Sequence, residues 1–508
     1  MPLFRCVAVF ALLGVFIAWA ALDTPAVAQP PGKQPDNSKT QKKGEGQGKG
    51  KGSGKGQGKT GGPKHEFAGP APAHPVDLIL SRPTDKSITA SVMAYTDLEA
   101  RIDFGSGTTA TRKLENDKPV LFLLENLSPD TEYTYSLKTR KPGETEFQTA
   151  ATGRFHTQRK PGSAFTFTLQ ADSHLDQGTR AALYEKTLAN ALADKPDFHV
   201  DLGDTFMTDK YPKYQDALPQ YVAQRYYFGR IGTGAAVFLV PGNHDGERLD
   251  RYSASGDSMA VWSCNTRHKY FPPVLPDGFY SGNNTPKPPL GKLGNYYAWH
   301  WGDALMIALD PFWTTGRTRR DSPDGNWART LGEEQFKWLE KTLASSKALH
   351  KFVFIHHLVG GLDDSARGGS EAAALYEWGG KGKDGKDEFK TRRPGWSMPI
   401  HQLLVKHKVD AVFHGHDHFY ARQELDGVAY IMVPQPGHQG GDRLRNVDEY
   451  GYVRGTFIPP SGHVRVRVDG PKATLEYVRA YLPQNQTSER KNGDVADKLE
   501  CRPQDRNK

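Results

Sequence analysis

The chain has 508 residues, a hydrophobic fraction of 37% and a formal net charge of +8. That length exceeds one compact core, and the apolar content is enough for packed domains, which excludes a chain disordered throughout. Nine lysines against Asp36 and Glu45 between Gln29 and Lys64 supply +7 of the charge, so the remainder is near neutral and no basic face for nucleic acid is indicated.

Arg5 precedes an apolar run from Val7 to Leu22, and Ala26-Val27-Ala28 offers small residues before Gln29. Residues 1–28 therefore read as an export signal, because the run is shorter than the ~20 residues of a membrane span. An uncleaved anchor is the alternative. Cys6 lies ahead of the apolar run, the wrong place for a lipidation cysteine. The expected location is periplasmic, cell-surface or extracellular, with no transmembrane helix in the mature chain. Residues 29–74 are Gly, Lys, Gln and Pro, which cannot bury enough surface to offset ordering entropy. They are expected to be a disordered spacer, with weak contact to an anionic surface as a second role.

Residues 75–158 carry short β-rich segments between turn residues, among them Asp77–Leu80, Ser87–Val92, Ala100–Phe104 and Glu132–Leu137. About seven strands in this span predict a β-sandwich. Residues 159–485 alternate strand and helix. Strands are expected over Ala164–Ala171, Phe198–Leu202 and Ala235–Val240, a hairpin over Tyr296–Asp310, and an amphipathic helix over Leu331–Leu349. Strands over Lys351–Ile355, Ala411–Phe413, Val464–Val468 and Ala473–Val478 follow, with a helix around His401–His407. Residues 486–508 read as a frayed polar tail. After signal removal Cys264 and Cys501 remain; a disulfide pinning the tail and two unpaired thiols are both open readings.

Five short motifs stand at the ends of predicted strands: Asp172-Ser173-His174, Gly203-Asp204, Gly242-Asn243-His244-Asp245, His356-His357 and Gly415-His416-Asp417-His418. Each alone is unremarkable; five in series, each after an apolar strand, are not a product of composition. Carboxylate, imidazole and amide oxygen together suit Fe, Mn, Zn or Co, and no cysteine is offered for softer ions. Seven candidate ligands are too many for one tetrahedral site and suit two metals sharing a carboxylate.

In kind and order these motifs resemble the calcineurin-like metallophosphoesterase superfamily over roughly Ala164–Leu482. The sandwich, with its corner at Leu124–Tyr133, is similar to the fibronectin type III-like domain that precedes the catalytic domain in purple acid phosphatases. The resemblance implies a four-layer α/β domain, two central mixed sheets flanked by helices, behind an all-β sandwich. It implies one metal on Asp172, His174, Asp204 and His418, and a second on Asp204, Asn243, His356 and His416, with Asp204 bridging. The family's catalytic histidine falls on His244. His357 and Asp245 are then expected in supporting positions or beside substrate.

One departure stands out. Purple acid phosphatases place an iron-ligating tyrosine three residues after the bridging aspartate, and protein phosphatases of the superfamily place a histidine-orienting aspartate there. This chain has Met207, which does neither, so the group that orients His244 is not given by the pattern. Asp209 is a candidate, although a surface role is the more ordinary reading of it. His414 and His438 are weaker candidates for the cleft, as are Arg367, Arg392, Arg393 and Arg422 for phosphate. Gly379–Gly385 is no phosphate-binding loop, because no helix with Lys-Ser/Thr follows it. The long loops Asp245–Tyr296 and Gly360–Pro399 hold Trp262, Tyr270, Phe271, Tyr280, Tyr376 and Trp378; any one ring has loop packing as its ordinary role, but together they favour an aromatic or nucleotide-like leaving group.

The resulting expectation is an exported dinuclear-metal phosphatase that hydrolyses small phosphate monoesters by attack of a metal-bound hydroxide. A phosphodiesterase or nucleotidase of the same superfamily is the enzymatic alternative, and a surface-binding protein without turnover is the non-enzymatic one.

Overall fold

A computed structural model describes residues 71–176, 178–316, 324–438, 444 and 446–501. The expected export signal and nearly all of the expected spacer lie outside these residues. Among the described residues no helix is long and apolar enough to cross a membrane.

The chain opens with eight short strands: β1 (Val76–Ser81), β2 (Ile88–Ala94), β3 (Leu98–Phe104), β4 (Gly107–Thr108), β5 (Arg112–Leu114), β6 (Val120–Leu124), β7 (Glu132–Arg140) and β8 (Gln148–His156). They form two antiparallel sheets, one ordered β1-β2-β6 and the other β4-β3-β7-β8, with β5 on β3. Leu78, Leu80, Ala90 and Val92 from the first sheet meet Ile102, Tyr135, Leu137 and Phe155 from the second in one apolar cluster. These alternate residues can share an interior because successive side chains of a strand point to opposite faces.

The α/β part follows as β9 (Phe165–Gln170), α1 (Ala181–Ala193), β10 (Phe198–Asp201), α2 (Tyr214–Gly232), β11 (Ala236–Leu239), α3 (Met259–Tyr270), β12 (Ser281–Gly282), β13 (Tyr297–Trp301) and β14 (Ala304–Ala308). It continues with α4 (Glu333–Ser345), β15 (His350–Phe354), α5 (Tyr376–Gly379), α6 (Phe389–Arg392), α7 (Ile400–Lys406), β16 (Ala411–His414), β17 (Tyr420–Leu425), β18 (Val428–Met432), α8 (Asn446–Glu449), β19 (Thr456–Ile458), β20 (Gly462–Asp469), β21 (Lys472–Arg479) and β22 (Val495–Cys501). Two mixed sheets result, β11-β10-β9-β20-β21-β22 and β12-β13-β14-β15-β16-β18-β17-β19.

The sheets face each other through large rings. Phe167, Phe198 and Phe238 from the first interleave with Trp299, Phe352, Phe354 and Phe413 from the second; Phe238 and Trp299, for example, stack at 4.3 Å. On its other side the first sheet is covered by Tyr184 and Leu188 of α1 and Tyr221 and Phe228 of α2. The second is covered by Phe336, Leu339 and Leu343 of α4 and by Ile400, Leu403 and Leu404 of α7. Helix, sheet, sheet, helix is the four-layer order.

Three expectations change. The tail beyond residue 486 is not frayed throughout: β22 pairs antiparallel with β21 from Ala473↔Cys501 to Val478↔Val495 and extends the first sheet. Lys498 and Glu500 face solvent, while Asp497 pairs with Arg422 and Leu499 and Cys501 pack on the core, so a polar composition concealed an edge strand. Helix α2, 19 residues long, has no counterpart in the predicted elements, because Pro219 and a run of polar residues interrupt its pattern. Cys264 and Cys501 are free thiols. Cys264 packs with Ala260, Leu293 and Trp313, in a cluster separate from the one Cys501 joins, so the two do not meet.

Candidate metal centre

Each sheet delivers its candidate residues from the ends of parallel strands, where the chain must turn away sharply. Asp172 follows β9, Asp204 follows β10, Asn243 and His244 follow β11, His356 follows β15, and His416 and His418 follow β16. Asp172, Asp204, His416 and His418 all have positive φ, at +54°, +52°, +82° and +67°. Non-glycine residues held there carry about 1–3 kcal/mol of strain each, which persists only where surrounding structure enforces it. The tips also come very close together. A Cβ on Gly242 would lie 2.0 Å from the Asp204 nitrogen, and one on Gly415 would lie 2.7 Å from an Asp172 carboxylate oxygen. Glycine is required at both for the carboxylates to sit where they do.

Two groups of potential ligand atoms result: Asp172, His174 and His418, and Asp204, His356 and His416. In the second group His356 donates Nδ1–H to the Leu202 carbonyl at 2.9 Å. Its Nε2 then faces Asn243 Oδ1 at 3.0 Å and Asp204 Oδ2 at 3.2 Å. With a neutral imidazole these are three lone pairs with no hydrogen among them, and only a cation satisfies all three. The alternative is a second proton on His356; burial opposes it, but Asp204 outweighs burial and pushes that pKa up to about 10. His416 donates Nε2–H to the Ser365 carbonyl at 2.7 Å, which leaves Nδ1 as its free lone pair.

In the first group Asp172 Oδ1 is buried without a hydrogen-bond partner and lies 3.3 Å from His418 Nε2. Asp172 Oδ2 accepts the His416 backbone N–H at 2.8 Å. His174 Nδ1 lies 3.2 Å from Asp176 Oδ2, and Gln435 reaches His174 Nε2 at 3.2 Å. Burial works against ionising Asp172 and Asp204, but the imidazoles facing them, His418 and His356, hold both carboxyls below their usual range. Anionic oxygen, imidazole nitrogen and amide oxygen in this arrangement fit divalent or trivalent transition metals, so the donor set passes the test of chemistry. Asp204 is grouped here with His356 and His416.

His244 stands at the edge of this cluster, a quarter exposed, with Nε2 4.0 Å from Asp204 Oδ2. Its backbone N–H donates to Asp204 Oδ1 at 2.7 Å. Its Nδ1 is hydrogen-bonded to Asp209 Oδ1 at 2.8 Å, and the Asp209 backbone N–H donates back to the His244 carbonyl at 3.1 Å. Asp209 is thus the orienting group that Met207 is not, and its ordinary surface reading is corrected. Asp245 is buried and accepts three backbone N–H groups, from Asp204, Phe206 and Gly242, at 2.7 to 3.1 Å. It ties the β10 and β11 tips together. His357 is buried beside Phe312 and His416, its Nδ1–H on the Leu358 carbonyl. Burial, then His416 and His356, push its pKa well down and keep it neutral.

The sequence does not advertise Gln224. This fully buried amide on α2 donates to the Ser173 carbonyl and to the Thr205 carbonyl, both at 2.9 Å. One side chain therefore holds the loop of Asp172 and His174 against the loop of Asp204. Of the weaker candidates, His414 is buried and His438 lies near His418, His174 and Asp176. Arg392, Arg393 and Arg422 are engaged with Asp324, Glu377 and Asp497, and Arg367 lies over the Tyr450 ring at 4.0 Å. The aromatic-loop expectation fails. Tyr270, Phe271, Tyr280, Tyr376 and Trp378 are buried and pack the interior, while Trp262 is half-buried and packs edge-on against Tyr214.

A family model for calcineurin-like phosphoesterases matches residues 165–420, half of the chain. The protein is a calcineurin-like phosphoesterase. Both triads and His244 lie inside that span. None of the curated protein sequences matches the chain. Among solved structures this calcineurin-like phosphoesterase is similar to PhoD, at 15% identity over 79% of this chain and 86% of that one, with a TM-score of 0.58. It is also similar to the purple acid phosphatase PPD1 from yellow lupin (Lupinus luteus) seeds, at 16% identity over 84% of this chain and 74% of that one, with a TM-score of 0.54. At these identities the likeness is one of fold. Family membership makes the chain a metallophosphoesterase, a hydrolase of phosphate esters.

Proposed function

We propose that the protein is an exported phosphatase that hydrolyses small phosphate monoesters at a dinuclear metal centre. In this reading Asp172, His174, Asp204 and His418 hold one ion, and Asp204, Asn243, His356 and His416 hold the other, with Asp204 shared. The observation that carries it is the convergence of His356 Nε2, Asn243 Oδ1 and Asp204 Oδ2 beside a second buried triad. When bound, two such ions supply the positive charge that orients phosphoryl oxygens and acidifies water.

The residues themselves account for the rest of the reaction. Hydrolysis breaks the bond between phosphorus and the ester oxygen, and the departing alkoxide needs a proton. His244 is placed to give it. Its Nδ1–H is committed to Asp209, so Nε2 is the nitrogen turned toward the cluster. Burial pushes the His244 pKa down, but Asp204 and Asp209 outweigh burial and raise it, which keeps a proton on the ring for transfer. Asp209 also holds the imidazolium in one orientation, as an aspartate does for a catalytic histidine elsewhere. His357, neutral and buried, neither adds charge nor competes for that proton. Asp245 and Gln224 hold the loops in register.

Export rests on the apolar run Val7–Leu22 and the small residues Ala26-Val27-Ala28. The decisive experiment is turnover of 4-nitrophenyl phosphate by the purified chain before chelation, after chelation and after return of Mn, Zn or Fe. Activity that vanishes and returns supports the reading. Activity indifferent to a chelator that has removed all bound metal contradicts it, and no turnover of any ester by fully metal-loaded protein favours a binding protein.

A further inference from the structure

Beyond the metal loops, the same edge of the first sheet carries a second concavity. Strand β20 lies beside β9 with Val464↔Leu169, and β21 lies beside β20 with Gly462↔Arg479. Continuing that register sets Gly462 next to Ala171, so Arg479 stands two strands across from the tip that bears Asp172. At about 4.8 Å per strand that separation is about 10 Å. Here a cavity of about 560 Å³ is lined by Arg479, Arg490, Tyr481, Asn485, Gln486 and Ser461 among others, with no Asp or Glu in its wall. The wall is joined to the metal cluster: Ser461 Oγ is 3.1 Å from the carbonyls of both Gln435 and His438, and Gln435 reaches Asp172 and His174.

Arg479 is held in place without being neutralised. Its Nε and one Nη donate to the carbonyls of Ser461 and Pro460 at 3.3 and 3.1 Å, and its guanidinium lies over the rings of Tyr477 and Tyr481. It makes no ion pair among the described residues. A guanidinium is permanently charged, and this one has N–H groups left over in a planar fork suited to phosphoryl oxygens.

We propose that this cavity is a second anion subsite, taking a second phosphoryl group of the same substrate beyond the one cleaved. The inference rests on the phosphatase reading and deepens it, because the favoured substrates become phosphate esters with a second anionic group at the far end. Octane-1,8-diyl bisphosphonate and octylphosphonate test it without turnover, since carbon–phosphorus bonds are not hydrolysed. They differ only in the second anionic group. The metal-loaded protein should bind the bisphosphonate at least about tenfold more tightly by calorimetry, the scale of one charged hydrogen-bonding contact. In Arg479→Met that preference should fall to about one, and Arg479→Lys should keep part of it. If Arg479→Met does not fold, Arg479→Gln, which keeps a polar side chain there, should show the same loss of preference. Equal affinities in the natural protein, or a preference that survives Arg479→Met, overturns the subsite. A preference found in a protein that cleaves no ester leaves the subsite standing and removes the phosphatase reading. Ester hydrolysis without any preference does the reverse.

Discussion

His244 and Asp209 are joined by one 2.8 Å hydrogen bond, and they separate chemistry from metal binding. His244→Ala should retain its metals by elemental analysis while kcat falls about 10²–10⁴-fold, the usual cost of removing a proton donor or charge-stabilising group. Loss of metal in step with activity would make His244 a ligand instead. Asp209→Asn should also keep its metals but shift the pH profile. Asp209 raises the His244 pKa, and a protonated donor is lost as pH rises through that pKa. Without the carboxylate the alkaline limb of kcat should therefore move to lower pH. Met207 supports a third expectation: the iron-loaded protein should show no strong visible charge-transfer band, since no tyrosine occupies that position. At this scale the candidate ligand residues were legible because metal chemistry restricts residue types and strand tips fix their spacing. Asp209 was legible only as a candidate, because its pairing with His244 depends on the turn after Phe206. Gln224 was not legible, since an amide on a distant helix leaves no motif.

Among elements, the loops after β9 and β10 keep their spacing through α2. Gln224→Leu leaves the Ser173 and Thr205 carbonyls without their donor in a buried place, at about 1–3 kcal/mol for each unsatisfied group. The metal concentration that restores half activity to stripped protein should rise by about tenfold. An unchanged metal titration, with only a lower melting temperature, would make Gln224 a core residue and nothing more. Asp194 at the C-terminus of α1 makes a comparable tie to β20 through His463 and Arg465. Burial raises its pKa, but His463 and then Arg465 outweigh burial and hold it below the usual value. A depressed carboxyl contributes stability above its unfolded pKa and loses it as pH falls through the folded one. Asp194→Asn should therefore be less stable than the natural chain by about 2 kcal/mol near pH 7, a gap that urea unfolding should show closing only below about pH 4. The elements missed in the sequence share a cause. In α2 the amphipathic signal is broken by Pro219 and by polar side chains that face the buried network, and in β22 charged residues alternate along an exposed edge.

The β-sandwich is bound to the α/β part by buried polar contacts, which a detachable module would not need. Arg225 of α2 is fully buried. It donates to Ser91 Oγ and to the Ser91 carbonyl of β2 at 2.8 and 3.0 Å, and to the Tyr270 carbonyl of α3 at 2.6 Å. Tyr135 of β7 donates to the Thr233 carbonyl, and Tyr280 donates back to the Pro83 carbonyl. These are hydrogen bonds of a charge and of phenols at a largely buried interface, each costly to leave unmade, and they commit the two parts to fold together. Arg225→Met should lower stability by about 3 kcal/mol, since three acceptor contacts lose their donor at once. Calorimetry of the natural chain should show one cooperative transition for sandwich and α/β part, and the variant should melt lower, still as one. Two resolved transitions in the natural chain, with Arg225→Met displacing only the weaker, would mean the sandwich folds alone and that Arg225 serves a local joint.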